Sequence, residues 1–168
     1  CSAIAMNELG EQFDIHCGGV DHIPVHHENE IAQSEAATGA HPWVKYWLHG
    51  EFLILPGKRM GKSEGNAITL QKAIDEGFDP MAFRYLCLQT HYRQKLNFSW
   101  EALKAAATGW QNLRSRVADL GVEEKIGSAE YEDRFTETSN NDLNTAQALT
   151  VLQDLLRSNY PNHAKRKS

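Results

Sequence analysis

Residues 12–39, which read QFDIHCGGVDHIPVHHENEIAQSEAATG, contain the succession of elements that decides the fold of the first half. Gln12–His16 is predicted to be a short extended segment that enters the glycine-rich loop Cys17-Gly18-Gly19. Glu28–Thr38 carries apolar and small residues at helical spacing, and Gly39 follows it as a helix stop. An extended segment, a loop and a helix in this order favour an α/β fold.

The flanking residues extend this pattern in both directions. Ser2–Leu9 is predicted to be a short helix that ends at a glycine. Downstream, Trp43–Leu48 and Phe52–Leu55 are rich in aromatic and branched residues, which is typical of strands. Thr69 is predicted to cap a helix that ends near Gly77. Residues 1–78 therefore form the α/β part of the chain.

From residue 79 onward the pattern is helical. Asp79-Pro80 is predicted to open a helix to about residue 91, with the aspartate as N-cap and the proline in the first turn. Ser99 opens a longer helix to about residue 120, and two more helical patterns cover residues 129–138 and 144–159. We therefore predict an all-α helical bundle over residues 79–168.

Composition excludes several classes of protein. The chain has 168 residues, of which 41% are hydrophobic and 23% charged, so a largely disordered chain is excluded. The sequence shows neither an apolar run of roughly 18 residues nor a signal peptide, so we expect no membrane span and no export. Three cysteines are an odd number, which indicates a reducing cytosol and no disulfide framework.

Charge is unevenly distributed along the chain. The net charge is −5, yet residues 58–116 carry ten lysines and arginines against five acidic residues. This basic block fits either a solvated helix face or a local phosphate site. Its densest part, residues 58–66 (KRMGKSEGN), combines three cations with two glycines, although it is not a P-loop. Gly18-Gly19 before Asp21 is a second, weaker candidate for close approach to a nucleotide, with the carboxylate accepting from a ribose hydroxyl.

The histidines are also clustered. Six of the eight lie between His16 and His49. His26 and Glu30 are four residues apart, so they share one helical face and can reach one cation. Zinc accepts imidazole, carboxylate and thiolate ligands together, and Cys1 and Cys17 are the nearby thiols. A polar helix start with solvated histidines fits the same spacing, so the pattern leaves both interpretations open.

Six stretches taken together resemble the cysteinyl-tRNA synthetases, a family of class I aminoacyl-tRNA synthetases. They are residues 1–3 (CSA), 14–21 (DIHCGGVD), 26–35 (HHENEIAQSE), 59–63 (RMGKS), 90–99 (THYRQKLNFS) and 144–149 (NTAQAL). The stretches occur in the family's order across nearly the whole chain. The resemblance implies that residues 1–78 are the second half of a class I Rossmann-like catalytic domain. Residues 79–168 would then be the helical stem-contact region.

The resemblance also implies a zinc site. Its ligands in this chain are Cys1, His26 and Glu30, and the fourth is a cysteine near the family's HIGH motif, outside this chain. His27 and Cys17 are not expected to be ligands.

ATP-binding residues are implied in the same way. Gly18, Gly19 and Asp21 match the loop that holds the adenosine, and Lys62 matches the second lysine of the KMSKS loop, which contacts the phosphates during catalysis. Arg59 replaces the first lysine and keeps its charge. Gly61 replaces the serine and leaves only a backbone N–H.

A cysteine–tRNA ligase is therefore the expected parent enzyme. It would activate cysteine with ATP and Mg²⁺ to cysteinyl-adenylate and transfer the acyl group to tRNA(Cys), as a monomer in the cytoplasm. Because the HIGH-motif half and the anticodon-recognition domain are expected outside this chain, we expect these residues alone to be inactive.

Two alternatives remain open. One is the related ATP-dependent cysteine ligase of mycothiol-type thiol biosynthesis, which shares the Cys and His positions. The other is a non-catalytic, truncated relative that binds RNA or zinc. A HIGH motif encoded upstream of Cys1 in the parent gene would exclude the non-catalytic relative.

Overall fold

The computed structural model describes residues 1–55, 68–121 and 127–168. The chain divides into two compact units. Unit 1 consists of Cys1–Phe52 with Tyr92–Lys95, and unit 2 consists of Leu53–His91 with Leu96–Ser168. This division falls after residue 52. The boundary near residue 78 concerns the domains of the family and stays a prediction.

Unit 1 alternates helices and strands. Its elements are helix α1 (Ser2–Leu9), strand β1 (Phe13–Gly19), a 3₁₀ turn (Val20–His22), a π-helical turn (Ile23–His27), helix α2 (Glu28–Thr38) and strand β2 (Val44–Gly50). Both predicted helices are confirmed. Gly39 ends α2 in the left-handed conformation, with φ of 72°, which glycine adopts without strain. The predicted α/β character of the first half is therefore confirmed.

Strands β1 and β2 are parallel. His16 lies opposite Trp47, Gly18 opposite His49 and Gly19 opposite Gly50. Parallel neighbours need a long crossover, and residues 20–38 supply it with two turns and α2. The prediction that residues 17–19 form a loop is therefore wrong, because these residues pair with β2 and are the last three of β1.

The interior of unit 1 is unusually polar. Among its described residues the buried apolar side chains are Trp43 and Val44, whereas His27, Glu30 and Ser34 are also buried. The Trp43 ring packs edge-on against Phe13, with centroids 5.2 Å apart. Helix α2 thus turns a polar face inward. A buried glutamate needs specific partners, so this face marks a candidate site.

Unit 2 is mainly helical. It contains strand β3 (Leu53–Ile54), helices α3 (Leu70–Asp75) and α4 (Pro80–Leu88), strand β4 (Leu96–Asn97), and helices α5 (Trp100–Ala118), α6 (Ala129–Asn140), α7 (Thr145–Arg157) and α8 (Asn162–Lys167). Strand β3 pairs in parallel with β4. The predicted helices from residue 79 onward are confirmed. The prediction that residues 79–168 are all-α is wrong, because Leu96–Asn97 forms strand β4 by pairing with β3, which a local sequence pattern does not specify. Helix α8 is likewise too short to give a pattern.

The predicted helix starts of unit 2 are confirmed in detail. The side chain of Thr69 accepts the backbone N–H of Lys72, and that of Asp79 accepts the N–H of Met81. Ser99 caps α5 in the same way. Each cap satisfies a backbone donor that the first turn leaves without an intrahelical partner.

The core of unit 2 lies between α4, α5 and the aromatic residues beside them. Ala82, Phe98 and Leu103 have almost no exposed surface. Cys87 is half-buried in α4, and burial raises the pKa of its thiol. In residues 1–55, 68–121 and 127–168, no helix combines the length and apolar character that crossing a membrane requires.

Candidate functional site

Three elements of unit 1 bring the predicted metal ligands together. Cys1 is the N-cap of α1, His26 lies in the π-helical turn, and Glu30 lies in the first turn of α2. One ligand atom from each lies within 4.8 Å of the other two. His26 Nε2 lies 3.6 Å from Glu30 Oε2. Their role as zinc ligands stays a prediction.

The same side chains border an open cavity of about 470 Å³. Asp21 also lies on its wall, together with Asn29 and Gln33 of α2. The predicted ribose acceptor and the predicted metal ligands therefore face one space. A cavity of this size is within the range of small-molecule sites in proteins.

Glu30 is held by two hydrogen bonds. His16 Nε2 lies 2.8 Å from Oε2, and Ser2 Oγ donates to Oε1 over 3.4 Å. Burial opposes ionisation of this carboxyl, but the hydrogen bond from His16 and the charges of the neighbouring imidazoles outweigh it, so the pKa of Glu30 lies below its usual value. Glu30 is therefore a carboxylate at neutral pH, which is the form that binds a cation.

His27 is oriented by a second histidine. Its Nδ1 lies 2.8 Å from His49 Nε2, and its ring is buried. Burial lowers the pKa of His27, and His16 and His49 add to this effect. Burial likewise lowers the pKa of His49. Both rings are therefore held neutral, and a neutral imidazole is the metal-binding form.

Three overlapping sets of possible donors occur in the described part of the chain. They are Cys1 with His26 and Glu30, His16 with His27 and Glu30, and His22 with His26 and His27. His27, which we did not expect to be a ligand, belongs to two of the three. Cys17 belongs to none of these sets and is exposed on β1.

Neighbouring side chains leave little room for a Cβ atom at the two glycines that end β1. A Cβ at Gly18 would lie 2.8 Å from His27 Nε2 and 2.9 Å from His22 Nδ1. A Cβ at Gly19 would collide with the carboxylate of Asp21. The two histidine rings thus account for glycine at position 18, whereas a side chain at position 19 would require the Asp21 carboxylate to move. The contact of Gly18, Gly19 and Asp21 with adenosine stays a prediction.

Lys62 and Arg59 are the two predicted phosphate contacts. Both belong to residues 56–67, which lie outside the described residues. Their assignment to a phosphate-binding loop therefore stays a prediction based on sequence.

Sequence reasoning missed the residues that support the donors. His16 bonds Glu30 from β1, and His49 bonds His27 from β2. Both depend on the pairing of two strands that are far apart in sequence. The available signal was the density of histidines between residues 16 and 49, since a single solvated helix start does not need six of them.

The donor chemistry of the first set fits a zinc ion. A thiol sulfur, an imidazole nitrogen and a carboxylate oxygen are the three ligand types that zinc takes from proteins. The burial of Glu30 and its hydrogen bonds to neighbouring side chains match the outer-shell support that metal ligands receive. The residues present are thus suitable for this metal.

Comparison with known proteins shows close relatives. Residues 1–108 match the family model described as tRNA synthetases class I (C) catalytic domain. Cysteine–tRNA ligase 1 of Burkholderia lata is 49% identical over 96% of the chain and 34% of the relative's own length. The cysteine–tRNA ligase of Treponema denticola is 44% identical over 94% of the chain and 37% of its own length. The chain spans about a third of the length of these relatives.

A solved structure also shares the fold. It is the ternary complex of agnB2 LeuRS from Agrobacterium radiobacter K84 with tRNA and LeuAMS. The TM-score is 0.63 at 14% identity, and the match covers 91% of this chain and 24% of that one. The likeness at this identity concerns the fold alone. Because the class I (C) catalytic-domain model matches well over half of the residues, the chain belongs to the cysteinyl-tRNA synthetase family.

Proposed function

We propose that this chain is the metal-bearing part of a cysteine–tRNA ligase. The parent enzyme would join cysteine to ATP as cysteinyl-adenylate, with Mg²⁺, and transfer the acyl group to tRNA(Cys). The observation that carries the proposal is the meeting of Cys1, His26 and Glu30 beside Asp21 on one cavity. The names of the relatives favour this activity over a thiol-biosynthesis ligase.

The proposed work of unit 1 is to distinguish cysteine from serine. The two amino acids differ by one atom, and a pocket shaped for one rejects such a near-isostere by only about 10²-fold. A zinc ion bound by Cys1, His26 and Glu30 would supply a thiophilic Lewis acid, for which a thiolate is a much better ligand than a hydroxyl.

The side chains around the cavity would position this chemistry. Glu30 is kept ionised and oriented by His16 and Ser2. Asp21 would accept from a ribose hydroxyl of ATP. Lys62 would offset negative charge on the leaving pyrophosphate, so its contact would strengthen toward the transition state.

The fold and setting of the parent enzyme are part of the same proposal. Residues 1–78 would complete the second half of a Rossmann-like catalytic domain, and the helices from residue 79 onward would contact the tRNA. We propose a monomer in the cytoplasm, where a reducing environment keeps Cys1 available as a thiol.

A chimeric enzyme tests the proposal. The matching third of the Burkholderia lata ligase is replaced by this chain, and cysteine-dependent ATP–pyrophosphate exchange is measured. We expect activity that requires cysteine and is not supported by serine. Lack of exchange in a folded, zinc-containing chimera would contradict the proposal.

Two variants of the chimera separate the proposed roles. Lys62→Ala should lower the rate of adenylate formation roughly 10²–10³-fold and leave cysteine affinity nearly unchanged. His26→Ala should instead weaken cysteine binding. His163→Asn in α8 is the matched control, because His163 belongs to none of the donor sets. If Lys62→Ala chiefly raised the cysteine requirement, the assignment of the loop would be wrong.

A further inference from the structure

One group of three imidazoles in unit 1 includes two, His22 and His27, that the proposed function does not use. His22 lies in the 3₁₀ turn, and His26 and His27 lie in the π-helical turn that follows. One nitrogen of each lies within 4.8 Å of the other two. The ring centroids are 4.9 Å apart for His22 and His26, 5.2 Å for His22 and His27, and 5.6 Å for His26 and His27. Three imidazoles from six consecutive residues therefore converge.

Two of these rings face one space, and His27 is held there by a supporting contact. His27 uses Nδ1 toward His49, so its Nε2 is the nitrogen left to face the group. His27 Nε2 and His22 Nδ1 lie 2.8 and 2.9 Å from the position where Gly18 would carry a Cβ. The missing side chain thus leaves open the space between the two nitrogens. A second hydrogen bond on the far ring nitrogen is the usual support of a metal-ligating histidine.

We propose that His22, His26 and His27 form a second site for a divalent cation, of the all-imidazole class. Imidazole nitrogens suit zinc and the other late first-row divalent ions, Co²⁺, Ni²⁺ and Cu²⁺. The site goes beyond the proposed function, which uses Cys1 and Glu30 but neither His22 nor His27.

The two sites are alternatives because both need His26. A neutral imidazole has one nitrogen with a free lone pair, so His26 serves one set at a time. An ion that binds with Cys1 and Glu30 leaves the imidazole site vacant. When Cys1 cannot bind, the same ion moves to His22, His26 and His27.

Cobalt binding to the 168-residue chain tests this inference. Co²⁺ bound to a thiolate gives a sulfur-to-metal charge-transfer band, and Co²⁺ bound to imidazoles alone does not. We expect the band in the native chain and its loss in Cys1→Ser, while competition with a chelator still shows one bound Co²⁺. In the Cys1→Ser background, His22→Asn should weaken binding by about tenfold or more, as loss of a ligand requires.

Two comparison variants in the Cys1→Ser background make the result decisive. His163→Asn should leave the affinity unchanged, and His16→Asn should change it by less than about threefold, since His16 is outside the imidazole set. The proposal is overturned if Cys1→Ser abolishes cobalt binding. It is equally overturned if His16→Asn weakens binding and His22→Asn does not, because the ion then lies on His16, His27 and Glu30. Circular dichroism of each variant verifies that the chain is folded.

Discussion

Glu30 is a carboxylate that the fold buries and yet keeps charged. Its side chain is 5% exposed, but His16, Ser2 and His26 surround the two oxygens. Isolated burial would raise the pKa of the carboxyl, and the hydrogen bond from His16 reverses that effect. Glu30 is therefore ionised and oriented in a way that suits it to bind a cation.

We therefore predict that His16→Phe weakens metal binding at the set formed by Cys1, His26 and Glu30. Loss of a supporting hydrogen bond to a metal ligand typically costs about 10–100-fold in affinity. The affinity is measured from the sulfur-to-cobalt band of the chain, which reports this set alone. His41→Phe is the control, because His41 bonds Glu35 outside the donor sets. An unchanged titration in His16→Phe would show that His16 does not support Glu30.

A second carboxylate, Glu35, gives unit 1 a dependence on pH. Its Oε2 accepts from His41 Nδ1 at 2.8 Å, and its Oε1 accepts the backbone N–H of Trp43 at 3.0 Å. The hydrogen bond from His41 and that from Trp43 lower the pKa of Glu35 below its ordinary value of 4.5. Because the folded-state pKa is the lower one, this contribution to stability is complete above pH 4.5 and is lost as the pH falls through the folded-state pKa.

Amide hydrogen exchange tests this prediction. Protection of the Trp43 amide should decrease as the pH falls below the ordinary pKa of Glu35, and Glu35→Ala should show low protection at every pH. The amide of Gly39 is the control, since it donates to the backbone carbonyl of Glu35 at 2.9 Å. If both amides lost protection with the same pH dependence, the loss at Trp43 would be due to general unfolding and the prediction would be wrong.

At the scale of elements, the sequence predicted what local chemistry determines. Helices α1 and α2 end at the predicted glycines, and Asp79 and Ser99 cap α4 and α5. The end of β1 and the π-helical turn were not predicted. Both depend on contacts with β2 and on side chains that meet across the sheet, so no local pattern specifies them. The candidate ligands could be named from the family resemblance, whereas their supporting histidines could not.

The cap of α5 provides a direct test of this local chemistry. Ser99 Oγ accepts the N–H of Ala102 at 3.1 Å, so Ser99→Ala should lower the free energy of unfolding by about 1 kcal/mol. Ser128 at the start of α6 is a matched control, because its side chain makes no cap hydrogen bond. Urea denaturation of the two variants should show a lower midpoint for Ser99→Ala than for Ser128→Ala. The reverse order would contradict the role of the Ser99 cap.

At the scale of the whole molecule, the chain corresponds to about a third of the ligases that it resembles. It spans 34% and 37% of the two ligases compared above. The HIGH motif that would hold ATP opposite Lys62 does not occur in these 168 residues. The two units differ in their interiors. Unit 1 buries polar side chains beside the possible metal ligands, whereas unit 2 has an apolar core.

The isolated 168-residue chain should therefore not activate cysteine. We expect no cysteine-dependent ATP–pyrophosphate exchange above the background of a Lys62→Ala chain. The active Burkholderia lata chimera serves as the positive control. If the isolated chain turned over nearly as fast as the chimera, the expectation that catalysis needs a HIGH-motif half outside these residues would be wrong.

We infer that Cys1, His26 and Glu30 hold the metal that selects cysteine. Zinc K-edge X-ray absorption of the chimera, recorded with cysteine and with serine, tests it most directly. We expect one additional sulfur neighbour of zinc when cysteine is added, no change with serine, and loss of one resident sulfur in Cys1→Ser. An unchanged zinc environment on addition of cysteine, or an equal change with serine, would contradict it.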